Sequence, residues 1–284
     1  MKRKIFTVLI FSLLHALYAG DSAVFVDEGF SQDGKVYVFG QYGVTDKNFQ
    51  GWAELYAVDT EKNDYIDGEY FRIKPTSVTK NKKGKDLYSD LIGKSYFELK
   101  KYNLKNARPD KVLYIRESEN KSSTDEILFK DFVSSVSNDQ AFYSVKLFPS
   151  VKGDGVNVSS SFYIDLVKKD SEGNILARQK IGNPQITRKG VKSYKIERIL
   201  SSQDGKSIVF IIEKTCEDKT GVNIRFMVET AKLNSDFFTN LAENQKDEKL
   251  EIVEESESEN NAELILTIEE NKADSSVDSV SDAK

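Results

Sequence analysis

Histidine and cysteine are almost missing from this chain: the one histidine, His15, falls within the first twenty residues, and the one cysteine is Cys216. Once the N-terminal segment is removed, no imidazole remains, so the commonest general base and metal ligand is gone, and a lone thiol closes no internal disulfide. Past the N-terminus there is also no apolar run near the roughly 20 residues that a membrane-crossing helix needs. Nor does the body carry a strong charge of one sign. The whole chain is −5, residues 1–19 contribute +3, and residues 243–284 hold fourteen acids against four lysines, near −10, which leaves residues 20–242 at about +2. So small a charge does not attract nucleic acid or an anionic surface as a whole, and no nucleic-acid partner is expected.

The N-terminus itself has the order of a secretory signal. Lys2, Arg3 and Lys4 precede an apolar stretch from Ile5 to Leu14, and Ala16-Leu17-Tyr18-Ala19 ends in a small residue before Gly20 and Asp21. This predicts removal of residues 1–19, a β-rich body over 20–242 with no membrane span after cleavage, and a secreted or periplasmic location. Cys216 lies too far along to be a lipid-attachment site. Its neighbours Glu217 and Asp218 oppose thiolate formation, so it reads as a structural thiol. Residues 243–284, acidic and poor in large side chains, predict an extended tail whose single β-prone run is Leu264-Ile265-Leu266-Thr267-Ile268.

Within the body, short runs rich in Val, Ile, Phe and Tyr predict strands at 23–26, 36–39, 54–58, 112–116, 142–147, 161–167, 208–212 and 224–228. Asp33-Gly34, Asp67-Gly68, Asp154-Gly155 and Asp204-Gly205 are dipeptides that supply the positive φ of tight hairpin turns. Residues 86–103 break this pattern. Leu87, Leu91, Ile92, Tyr96, Leu99 and Tyr102 recur near helical spacing, which predicts one amphipathic helix lying on a sheet. The lysine-rich stretch 80–85 before it reads as a solvated loop.

One segment is echoed. Phe30-Ser31-Gln32-Asp33-Gly34-Lys35 and the strand after it return as Ser201-Ser202-Gln203-Asp204-Gly205-Lys206 and a second strand; later, Val58-Asp59-Thr60 is matched by Val228-Glu229-Thr230. Each copy reads as one antiparallel meander. The unit Phe30 to Lys35 with the later Leu55-Tyr56-Ala57-Val58-Asp59 resembles the repeat of TolB-type β-propellers. Gly29 to Asn63, and more weakly Tyr194 to Val228, is similar to a family of bacterial predicted secreted proteins of unknown function. That resemblance implies export and implies no activity; the acidic tail falls outside it. The fold expected is mainly β (α+β), two related antiparallel meanders packed together with one amphipathic helix, with a degenerate four- or five-bladed propeller as the alternative.

Chemistry is sparsely marked. Ser77-Val78-Thr79-Lys80, Ser118-Glu119-Asn120 and Lys219-Thr220-Gly221 follow the order of the S-x-x-K, S-x-N and K-T-G elements of penicillin-recognising enzymes. S-x-x-K activates its serine only if a helix brings the lysine one turn away. Pro75-Thr76-Ser77-Val78-Thr79 is β-branched and follows a proline, and a second S-x-x-K occurs at Ser118 to Lys121. Residues 170–174 and 152–157 lack the spaced acids of a calcium loop, so no metal and no cofactor is expected. Asp33, Gly34, Asp204 and Gly205 are assigned to turns. The function expected is a non-catalytic binding module of the cell envelope whose partner is another envelope protein. A histidine-free hydrolase using Ser77 and Lys80, or a carboxylate such as Asp59, is the alternative, and a purely structural envelope protein is a third.

Overall fold

The computed structural model describes residues 21–238, apart from 46–47, 118–121, 123–124, 134–140 and 219–220. The signal segment, the acidic tail with its 264–268 run, Ser118 to Lys121, and Lys219 and Thr220 of the K-T-G element therefore lie outside the described residues. Three antiparallel sheets and one α-helix make up the described fold. The first sheet is a meander of β1 (Val24–Phe30), β2 (Val36–Val44), β3 (Gly51–Asp59) and β4 (Asp64–Ile73). The helix α1 (Gly84–Leu99) follows, then the short strands β5 (Val112–Ile115) and β6 (Ile127–Lys130). A second sheet is ordered β10-β8-β7-β6, from β7 (Phe142–Lys152), β8 (Ser159–Lys169) and β10 (Arg188–Lys189), with β9 (Ile175–Ile181) also paired to β8. The third sheet is a meander of β11 (Val191–Ser201), β12 (Ser207–Asp218) and β13 (Gly221–Lys232), with β5 added at the β11 edge.

The two related meanders pack against each other. Phe30, Tyr37, Phe39 and Val58 of the first sheet form one buried cluster with Leu200, Val209, Ile211 and Val228 of the third. The other face of the first sheet is covered by α1: Val38, Ala53, Leu55 and Ala57 meet Leu87, Tyr88, Leu91 and Leu99. With both faces covered, β2 reads as a continuous apolar run and not as an alternation. Small residues let the helix approach. A Cβ on Gly40 would fall 2.2 Å from the Tyr88 hydroxyl oxygen, so the ring lies where that side chain would stand.

The echoed turns are the same device built twice. In the first, Ser31 Oγ donates to Asp33 Oδ1 at 2.7 Å, and the amides of Lys35 and Val36 donate to Asp33 Oδ1 and Ser31 Oγ. In the second, Ser202 Oγ donates to Asp204 Oδ1 at 2.6 Å, and Lys206 and Ser207 repeat the amide bonds. Gly34 and Gly205 sit at φ of 69° and 72°. The surroundings differ: a Cβ on Gly34 would come within 2.9 Å of Ser202 Cβ, where the turns touch, whereas at Gly205 the nearest atom is 3.9 Å away. Gly205→Ala should therefore cost about 1 kcal/mol from backbone strain alone, and Gly34→Ala about 2 kcal/mol or more. Urea-denaturation midpoints check the difference; equal losses would show that the contact between the turns relaxes freely.

Several expectations are corrected. Beyond the turn the echo slips: Val36 pairs with Asp59, but Ser207 pairs with Lys232, so the residue equivalent to Asp59 is Lys232 and not Glu229. Lys232 stands three residues beyond Glu229 on an unbroken ladder, so the two side chains leave β13 on opposite faces. Asp67-Gly68 is not a hairpin. It lies inside β4 as a bulge, with the register shifting between Tyr56 and Val58 of β3, and the real turn closes at Asn63, φ 56°. Asp154-Gly155 sits in a longer β7–β8 connection that includes a 3₁₀ turn, Gly155–Asn157. The helix ends at Leu99, tightens into a 3₁₀ turn and is closed by left-handed Asn103; Tyr96, expected on the buried face, is 52% exposed, and Tyr88 takes its place in the core. The second sheet was not foreseen as a separate layer. No propeller forms among the described residues.

Candidate functional site

Of the residues singled out for chemistry, none converge. Ser77 opens a single 3₁₀ turn, Ser77–Thr79, and the chain becomes extended at Lys80, which bridges to Gln50. Both residues are exposed, and neither side chain forms a hydrogen bond or ion pair among the described residues. Asp59 shapes the β3–β4 turn by accepting the amides of Glu61 and Lys62, each at 3.0 Å. Partial burial works against its ionisation, but these amides and the Lys62 ammonium outweigh it and hold its pKa below the usual carboxylate value. Asp33 is likewise lowered, mainly by the Ser31 hydroxyl. Acids held ionised in this way are poorly matched to proton transfer near neutrality. Burial pushes the Cys216 thiol up, with Lys214 and Arg225 opposing, so it stays protonated.

The structure assembles a different group of residues. Where the two related meanders meet the β9–β11 connection there is a cavity of about 410 Å³. Val58, Asn63, Asp64 and Tyr65 line it from the first sheet, Lys214, Met227, Val228 and Glu229 from the third, and Asn183, Ile186 and Arg188 from the connection. Glu229 is anchored: Arg188 Nη2 donates to its Oε1 at 3.1 Å, and Asn63 Nδ2 donates to its Oε2. Burial raises its pKa, partly offset by these two donors. Asn63 Oδ1 in turn accepts the Thr230 amide at 2.7 Å, so one asparagine joins the β3–β4 turn to β13. Although Tyr65 is 47% exposed, desolvation by the surrounding wall and then the Glu229 charge raise its phenol to about 12.

Lys214 is different. Directly opposite it in the β12–β13 ladder stands Arg225, a like charge in a position where opposite charges or apolar pairs stabilise a sheet. Arg225 is already engaged, donating to Asp21 Oδ2 at 2.6 Å and lying 4.3 Å from the Trp52 ring centroid. Lys214 has no carboxylate within ion-pair distance among the described residues. Burial lowers its pKa, with Arg188 and Arg225 adding and Cys216 and the more distant Glu54 carboxylate opposing. Sequence reading missed this site because its members carry no motif. Lys214 and Glu229 each stand just past the apolar core of a predicted strand, where a charged residue looks like the strand's end.

No helix among the described residues is long and apolar enough to cross a membrane. No match was found among curated proteins. Residues 38–232, from β2 through the end of β13, match the model of a family described as predicted secreted protein, DUF2259. With well over half of its length matched, and with the third-sheet meander, β3, β4 and the cavity inside the matched region, the chain belongs to that family of predicted secreted proteins.

Proposed function

We propose that this is an exported, non-catalytic binding protein of the cell envelope, made as a leader over 1–19, a body over 20–242 and an acidic tail over 243–284. Its cavity between the two related meanders takes a ligand, free or presented by an envelope partner, that combines an anionic group with an apolar body. The observation that carries this reading is Lys214, a half-buried lysine that lines the cavity, faces Arg225 across the ladder and has no carboxylate within ion-pair distance among the described residues. An arrangement that costs stability in the empty protein is compensated when an anion arrives. Val58, Ile186, Met227 and Val228 supply apolar wall and Tyr65 an aromatic face, in a volume within the range of small-ligand pockets. Glu229 is not offered as a general acid, because Arg188 and Asn63 occupy both of its oxygens.

The test uses 8-anilinonaphthalene-1-sulfonate, an anion on an aromatic body, titrated by fluorescence. Lys214→Met should weaken its binding about tenfold or more while leaving the melting temperature equal or higher, since a half-buried cation facing a like charge is replaced by an apolar chain of similar length. A structural lysine would lose stability instead. Unchanged affinity in the variant would overturn the proposal.

A further inference from the structure

The loops at the start of α1 carry two features that the cavity does not use. Phe49 is 66% exposed and Val78 74%, among the most exposed large apolar side chains described. Their loops are tied together: the Asn81 amide donates to Phe49 O at 3.2 Å, and Gln50 bridges to Lys80. Phe49 holds a left-handed backbone, φ 49°, which a bulky residue adopts only under constraint; its amide donates to Thr45 O at 2.9 Å and fixes that conformation. A strained backbone that places an aromatic ring in water stabilises nothing in the isolated fold.

The surroundings are cationic. Lys74, Lys80, Lys82, Lys83 and Lys85 are all exposed, and between residues 74 and 86 the only acid is Asp86. None of the five lysines is ion-paired among the described residues. The body as a whole is close to neutral, so this is a local field, felt over about a Debye length. Fixed apolar side chains ringed by unpaired lysines match the boundary of an anionic bilayer, where rings enter the acyl edge and ammonium groups meet phosphates. We infer that the loops carrying Phe49, Val78 and the 74–85 lysines dock the secreted protein peripherally onto an anionic lipid surface.

The experiment is co-sedimentation of the full secreted chain with vesicles of phosphatidylcholine alone or mixed with phosphatidylglycerol. Binding is expected only to the mixed vesicles and should be abolished by about 0.5 M salt. Phe49→Gly, which removes the ring and relieves the positive φ, and Lys82→Glu with Lys83→Glu should each reduce partitioning about tenfold or more, with unchanged thermal melting. Lys214→Met should bind vesicles as the unaltered protein does, which separates this surface from the cavity. No binding to phosphatidylglycerol vesicles, or binding that Phe49→Gly leaves intact, would overturn the inference. So would retention on immobilised poly-glutamate without vesicle binding, which would assign the patch to an acidic polypeptide.

Discussion

Replacing Lys168 with methionine is expected to destabilise the fold by about 3–5 kcal/mol, the usual consequence of removing one partner of a buried ion pair. Lys168 Nζ lies 2.9 Å from Asp131 Oδ2, with the two side chains only 3% and 5% exposed. It also donates to the Phe237 carbonyl at 2.9 Å. Methionine would leave Asp131 charged and without its cation in a site that also holds Tyr143, whose phenol is raised by burial and by Asp131. Adding Asp131→Leu should recover most of the loss, because two apolar side chains of similar volume leave no charge behind. Chemical denaturation of the two single variants and the double variant measures this; a single-variant cost below about 1 kcal/mol would show that water reaches the pair.

Phe237→Ala should cost about as much, 3–5 kcal/mol, for the separate reason that a fully buried ring is removed. Phe237 has no exposed surface and stacks on Tyr143, with centroids 5.9 Å apart and planes 12° apart. The short 3₁₀ segment Ser235–Phe238 thereby locks the end of the body onto the second sheet. Truncation after Ala242 retains this ring and should leave the melting temperature within about a degree. Truncation after Asn234 should match or exceed the loss seen for Phe237→Ala. If both truncations melted together, the ring would not be what holds this end.

What the sequence revealed followed its strongest periodicities. The eight predicted strands coincide with β1, β2, β3, β5, β7, β8, β12 and β13, and the single helix with α1. What it hid has identifiable causes. In β4, Asp64–Ile73, the Asp-Gly pair that usually ends a strand makes a bulge within one. In β11, Val191–Ser201, charged residues interrupt the apolar pattern because Lys195 pairs with Glu213 across the ladder, 2.9 Å apart. Tyr88 was overlooked because its hydroxyl reaches out of the core to Glu28, 2.8 Å away, while its ring covers Gly40. The cavity was illegible for a deeper reason: Asn63, Arg188, Lys214 and Glu229 come from four separate segments, and only tertiary packing makes them neighbours.

Asp21 stands two residues past the expected cleavage point, and its side chain receives Arg225 at 2.6 Å and the Trp52 indole N–H at 3.2 Å. Backbone bonds from Ile224 to Asp21 O and from Ala23 to Ile224 O lay this first segment along β13. Asp21 and Arg225 are 204 positions apart. Trp52 is available to Asp21 as soon as β3 is made, but Arg225 and the Ile224 backbone bonds are available only once the last strand is. Closing so long a loop is slow, so the segment at Asp21 is tied down late in folding, after the sheets that receive it have formed.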